Sequence, residues 1–174
     1  MPSIYLRRSP SLPPAPALAV GAAAPRAEAL DVSQGRSLVA FLRHVGCPFS
    51  EQVVKRLREW AERNRDVSVH LVSHGDEAVT QQWLSLIGGV GRMHWVPDRD
   101  RALYAQWGLG DAPLWHFAGP RSLWGVVCLW PQGIRNRIAT GTRWQRAGMF
   151  MVRDGVVVWH HVPESAQEFS LPPT

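Results

Sequence analysis

The chain has 174 residues, 45% hydrophobic and 19% charged, and its 19 Lys plus Arg outweigh 14 Asp plus Glu to give a net charge of +5. That length and mix suit one globular domain and exclude wholesale disorder. No apolar run approaches the roughly 18 residues of a spanning helix, and two cysteines exclude a disulfide framework.

Eighteen of the 19 basic residues are Arg, and they are scattered. A nucleic-acid footprint wants clustering, so a solvated basic surface is expected. Residues 2–16 are Pro-rich and read as an irregular arm. Residues 37–44 (SLVAFLRH) form a short apolar run that suits a strand buried on both faces. Cys47-Pro48 opens a helix, because Pro is favoured at the first helical position. On it Phe49, Val53, Leu57, Trp60 and Ala61 share one face. Glu51–Lys55 and Arg58–Glu62 pair on the other face.

Residues 67–73 alternate cleanly and predict the next strand. Asp76 caps a helix running to about Ile87, which stops at Gly88-Gly89. Residues 93–96 are a short strand stopped by Pro97. A short helix from Asp98 or Arg99 to Trp107 follows. Residues 120–129 are apolar and helical, and 131–141 form a basic loop. Residues 149–152 and 156–161 make a hairpin through Arg153-Asp154-Gly155. Strands alternating with helices, closed by a hairpin, predict an α/β layered fold with a mixed sheet.

Cys47 stands out by position. It follows a buried strand and opens an amphipathic helix, where unpaired N–H groups and the helix dipole favour thiolate over thiol. Arg43 and His44 are close enough in sequence to add to this. The other cysteine, Cys128, sits in an apolar segment (GVVCLW) and is expected to be buried and structural.

Residues 41–50 (FLRHVGCPFS) resemble the active-site segment of the peroxiredoxin-like branch of the alkyl hydroperoxide reductase/thiol-specific antioxidant superfamily. Three other stretches are similar in order and spacing. Residues 20–25 (VGAAAP), with Leu30, Asp31 and Gly35, resemble the family's N-terminal Val-Gly-x-x-Ala-Pro segment. Residues 98–109 (DRDRALYAQWGL) match an Asp…Tyr…Gly-Leu segment. Residues 144–155 (WQRAGMFMVRDG) match a Gln…Gly…Phe…Gly hairpin. The resemblance implies a thioredoxin-like three-layer fold over residues 17–163, flanked by the arm at 1–16 and a tail at 164–174.

It also implies site residues. Cys47 would be the reactive centre, with His44, Arg43 and Arg146 as catalytic donors. Pro48, Phe49, Ser50, Trp144 and Arg143 would bind substrate. The sequence departs from the family where Ala40 replaces Pro and His44 replaces Thr, and Ser50 in place of a second Cys excludes a Cys-x-x-Cys cycle. For Arg43 and His44 plain strand packing is the alternative role. No metal-ligand spacing links His70, His74, His94, His116, His160 and His161, and no cofactor is expected.

The function expected from this resemblance is a thiol-dependent peroxidase or oxidoreductase of the 1-Cys type. Cys47 would attack a peroxide and be reduced by an external thiol, glutathione or a thioredoxin-type donor, in the cytoplasm. No nucleic-acid or membrane partner is expected, and a homodimer is left open. A second reading is a non-redox member binding or transforming a small molecule in a pocket walled by Trp115, Trp124 and Trp144. A third rests on Cys-Pro-Phe-Ser, which resembles a monothiol glutaredoxin site and would imply glutathione chemistry. The third lacks a Pro at Arg146-Ala147-Gly148.

Overall fold

A computed structural model describes residues 12–113, 120–134 and 139–173. Five strands form one sheet in the order β3-β2-β1-β4-β5. They are β1 (Arg36–Phe41), β2 (Val67–Ser73), β3 (His94–Pro97), β4 (Gly148–Arg153) and β5 (Val156–His161). Parallel pairing joins β1 to β2 and β2 to β3, while β4 runs antiparallel to both β1 and β5. The sheet is therefore mixed and the fold thioredoxin-like. The helices are α1 (Pro48–Arg63), α2 (Glu77–Leu86), α3 (Ala102–Gln106) and α4 (Pro120–Leu129).

Local chemistry explains most boundaries. Asp76 accepts from Val79 N–H at 2.9 Å and starts α2. Asp154 and Gly155 both have positive φ, +49° and +78°, as the tight β4–β5 hairpin turn demands. β1 stops at Phe41, short of the expected His44, because the chain turns away toward α1 through Gly46 (φ +83°). The short helix begins at Ala102, later than expected. Asp98 reaches forward instead, accepting from Ala102 N–H at 3.0 Å and Tyr104 N–H at 3.1 Å.

Two core clusters lie on the two faces of the sheet. Leu38, Ala40, Leu71 and Met151 meet Leu57 and Trp60 of α1, whereas Val39, Phe41, Val72 and Phe150 meet Tyr104 of α3 and Trp107 just after it. On α1, Val54 takes the core position expected for Val53. Glu51 is fully buried although it pairs with Lys55 at 2.8 Å, contrary to a solvent-facing ion pair. Arg58 does not pair with Glu62. It donates to the Ile87 and Gly89 carbonyls beyond the end of α2, where carbonyls lack helical partners. Glu62 bonds Arg65 instead, at 3.3 Å.

The described part of the N-terminal arm has no regular structure, but Ala15 N–H donates to the Ala105 carbonyl at 2.8 Å. Next along the chain, Gly21 N–H and the Ala22 carbonyl bond the backbone of Val157, at 2.8 and 2.9 Å, which extends the sheet along β5. Among the described residues no helix is long and apolar enough to cross a membrane.

Candidate active site

Cys47 is the residue that caps the N-terminus of α1, with Pro48 next to it. β1 delivers the chain to this point. Leu42 N–H still bonds the Val72 carbonyl at 2.9 Å, and Arg43, His44 and Val45 then run buried to Cys47. Glu51 N–H returns to the Cys47 carbonyl at 3.0 Å and closes the first helical turn. The Cys47 side chain makes no capping hydrogen bond and is only 2% exposed. It packs among Phe49, Leu129, Ile134 and Ala166, so α4 and the C-terminal segment cover it.

The strand end that leads into Cys47 carries a buried polar pair. Arg43 Nε–H donates to His44 Nδ1 at 3.3 Å, which leaves the proton of the neutral ring on Nε2. Burial, above all, holds His44 well below the ordinary histidine range, and the charges of Arg43, His74 and Arg143 push the same way. His44 is therefore a neutral imidazole at pH 7.

His74 is a member of this group that the sequence reading passed over. It follows β2 directly, at the same sheet end as Cys47. Thr142 N–H donates to His74 Nε2 at 3.1 Å, and Asp76 N–H donates to Thr140 Oγ1 at 2.9 Å. Together they clasp the loop that carries Arg143. Its place at a parallel strand's C-terminal end is the signal that would have found it, since open α/β sheets gather their sites there.

The remaining expected residues divide. Pro48, Phe49 and Ser50 form the buried first turn of α1. Trp144 and Arg146 sit half-buried before β4, and Arg146 N–H bonds the Gly110 carbonyl at 3.1 Å. Among the described charges, Arg143 acts on His44; Arg146 is not one of those that do. Trp124 is 68% exposed, so it walls no pocket, and Trp115 and His116 lie outside the described residues. Cys128 is exposed, contrary to the structural role expected for it. In α4 the neighbouring Leu129 takes the inward position toward Cys47, and a step of about 100° along a helix turns Cys128 outward. The apolar run misled because Val127 and Trp130 also face solvent. Among the described residues no group of three or more His, Cys, Asp or Glu could hold a metal ion.

Two of the resembling segments reach the end of the sheet where Cys47 lies, whereas residues 20–25 bond the β4–β5 turn at the opposite end, Ala24 N–H donating to the Gly155 carbonyl at 2.8 Å. Tyr104 of the Asp…Tyr segment reaches the β1 end, and Gln145 Nε2 donates to the Leu109 carbonyl at 2.9 Å. Residues 32–165 match the family described as AhpC/TSA antioxidant enzyme, and the chain belongs to it. The fold is similar to that of a peroxiredoxin-like protein from Aquifex aeolicus, with TM-score 0.58 and 14% identity, covering 88% of this chain and 81% of that one. It is also similar to reduced Prx3 from Vibrio vulnificus in complex with hydrogen peroxide, with TM-score 0.56 and 12% identity, covering 88% and 89%. No curated protein matches the sequence.

Proposed function

We propose that this chain is a thiol-dependent peroxidase in which Cys47 is the sole attacking sulfur. The observation that carries the reading is the position of Cys47 at the N-terminus of α1, in a member of this family, three residues after a buried His44 that accepts from Arg43. The Cys47 thiolate attacks one peroxide oxygen. An S–O bond forms, the O–O bond breaks, and the alkoxide or hydroxide leaves with the electron pair and takes up a proton. His44 Nε2–H and the Arg43 and Arg143 guanidiniums are the donors proposed to meet that charge. Pro48, Phe49, Ser50 and Trp144 are the proposed substrate-side residues, with Arg146 a further donor.

The sulfenic acid then condenses with an external thiol, releasing water, and a second thiol frees the mixed disulfide. Glutathione and a thioredoxin-type dithiol are the proposed reductants, in a cytoplasmic setting. The division into arm 1–16, domain 17–163 and tail 164–174 belongs to the same proposal.

The test is dimedone trapping after peroxide treatment. Label on the Cys47 peptide, with peroxide consumption abolished in Cys47→Ser, supports the reading. The burial of Cys47 and His44 in place of the family's Thr favour a second reading, a non-redox member of the family. Absence of dimedone label on Cys47 after treatment, with peroxide consumption unchanged in Cys47→Ser, would decide for it.

A further inference from the structure

Cys47 is buried, so no reagent meets its sulfur until one of its covers moves. Two covers compete. One is the end of α4 and the turn after it, which supply Leu129 and Ile134. The other is the C-terminal segment, which supplies Ala166. Further along that segment, Phe169 and Leu171 pack half-buried against the core cluster that holds Met149 and Met151.

The two covers are held differently. α4 is a regular helix of 10 residues, and its end is closed by Gly133 N–H on the Trp130 carbonyl at 3.0 Å and Ile134 N–H on the Leu129 carbonyl at 3.3 Å. The C-terminal segment forms no helix or strand after His161. Its backbone N–H groups bond within it. Glu168 N–H donates to the Ser165 carbonyl at 3.1 Å, and Glu164 N–H donates to Glu168 Oε2 at 2.9 Å. Among the described residues, no backbone–backbone hydrogen bond ties residues 163–173 to a strand or helix. The seat is also loose. A cavity of about 30 Å³ separates the segment, at Ala166, Glu168 and Phe169, from Arg43, Phe49 and His161 below it. Chain with few backbone bonds and an incompletely filled seat opens at lower free energy than a packed helix.

We propose that residues 163–171 are a strap that gates Cys47, lifting as a unit to uncover the sulfur while α4 stays in place. Ala166 closes over the thiol, and Phe169 and Leu171 are the anchors. The strap also rests on α4. A Cβ on Gly125 would lie 3.0 Å from Gln167 Cβ and 2.9 Å from Phe49 Cε1, so the absence of a side chain there lets the strap settle. The inference goes beyond the peroxidase reading, because the gate meets any reagent bound for Cys47, whether peroxide, thiol or alkylator.

The experiment follows iodoacetamide alkylation of Cys47 and Cys128, peptide by peptide, in full-length wild type, Phe169→Ala and Gly125→Ala. Cys128 is exposed and serves as the internal reference. Loss of the Phe169 anchor should speed Cys47 alkylation about tenfold and change Cys128 less than about twofold. Gly125→Ala separates the two covers. Ala is the better helix former, so a door made of α4 would open less often and Cys47 would react more slowly. A strap is crowded by the added carbon instead, and Cys47 should react at least about threefold faster. Phe169→Leu keeps an apolar anchor and stands as the test if Phe169→Ala fails to fold, with a rise of about threefold. An unchanged Cys47 rate in the Phe169 variant, or an equal or lower rate in Gly125→Ala, overturns the strap. So does a wild-type rate that climbs with urea as steeply as global unfolding, because the whole fold would then be the gate. None of these outcomes touches the peroxidase reading, which stands or falls by the dimedone label.

Discussion

Tyr104 Oη donates to the Leu42 carbonyl at 2.6 Å and lies 3.1 Å from the Val72 carbonyl. One buried hydroxyl thus ties α3 to the ends of β1 and β2, immediately before Arg43, His44 and Cys47. Burial, above all, pushes this phenol well above its ordinary range, so the hydroxyl keeps its proton and stays a donor. Tyr104→Phe should cost about 1–3 kcal/mol in urea unfolding. It should also raise hydrogen exchange at residues 42–46 above that of the far strand ends. Uniform exchange would show that the bond supports the fold without fixing the site.

His74 gives the fold an acid weakness. Burial, above all, holds it down to about 4 from 6.5. Between those values the unfolded chain binds the extra proton, so stability is full above pH 6.5 and falls as pH drops toward 4. The loss across that window is about 3 kcal/mol, and His44, also depressed, acts in the same direction. Urea midpoints taken from pH 7 to pH 4.5 should fall steeply in wild type and more gently in His74→Phe. Parallel slopes would remove His74 from the account.

Gly141 and His74 are in tight contact. A Cβ on Gly141 would lie 2.7 Å from His74 Cδ2, and the residue has φ +83°. Gly141→Ala should therefore cost about 1–3 kcal/mol and loosen the loop that carries Arg143. Gly133→Ala is the control, with φ +71° and nothing near the added carbon, and only backbone strain to bear. Equal thermal shifts in the two variants would rule out the contact.

The two thiols should differ in access. Cys128 is exposed and Cys47 is 2% exposed. An aromatic disulfide reagent should react with one equivalent quickly and one slowly. Cys128→Ser should remove the fast phase alone. A single fast phase of two equivalents in wild type would contradict the cover over Cys47.

Much of this was legible in the sequence. β2 was bounded correctly by its alternation, the helix opening at Cys47-Pro48 by Pro chemistry, and the hairpin by Asp154-Gly155. These are local signals. What escaped depends on long-range packing. Glu51 reads as a helix-surface charge but lies at 0% exposure, and Arg58 left its helical neighbour for the end of α2. Cys128 looked internal because its neighbours are apolar, yet Trp124, Val127 and Cys128 of α4 all face solvent. His74 and His161 carry no motif. Only the topology brings them to the end of the sheet where Cys47 lies.

The place of β1 has a consequence for biosynthesis. Arg36 pairs with Val67, 31 positions on, and with Arg153, 117 positions on. A ribosome that has released β1, α1 and β2 has made the cysteine and one flank of its strand, but neither the opposite flank nor Ala166 above the sulfur. Until residues 148–153 and 166 have been made, the strand lacks its other flank and Cys47 lacks part of its cover. A nascent chain stalled there would leave Cys47 more open to oxidants and alkylators than the finished fold does, where it is 2% exposed.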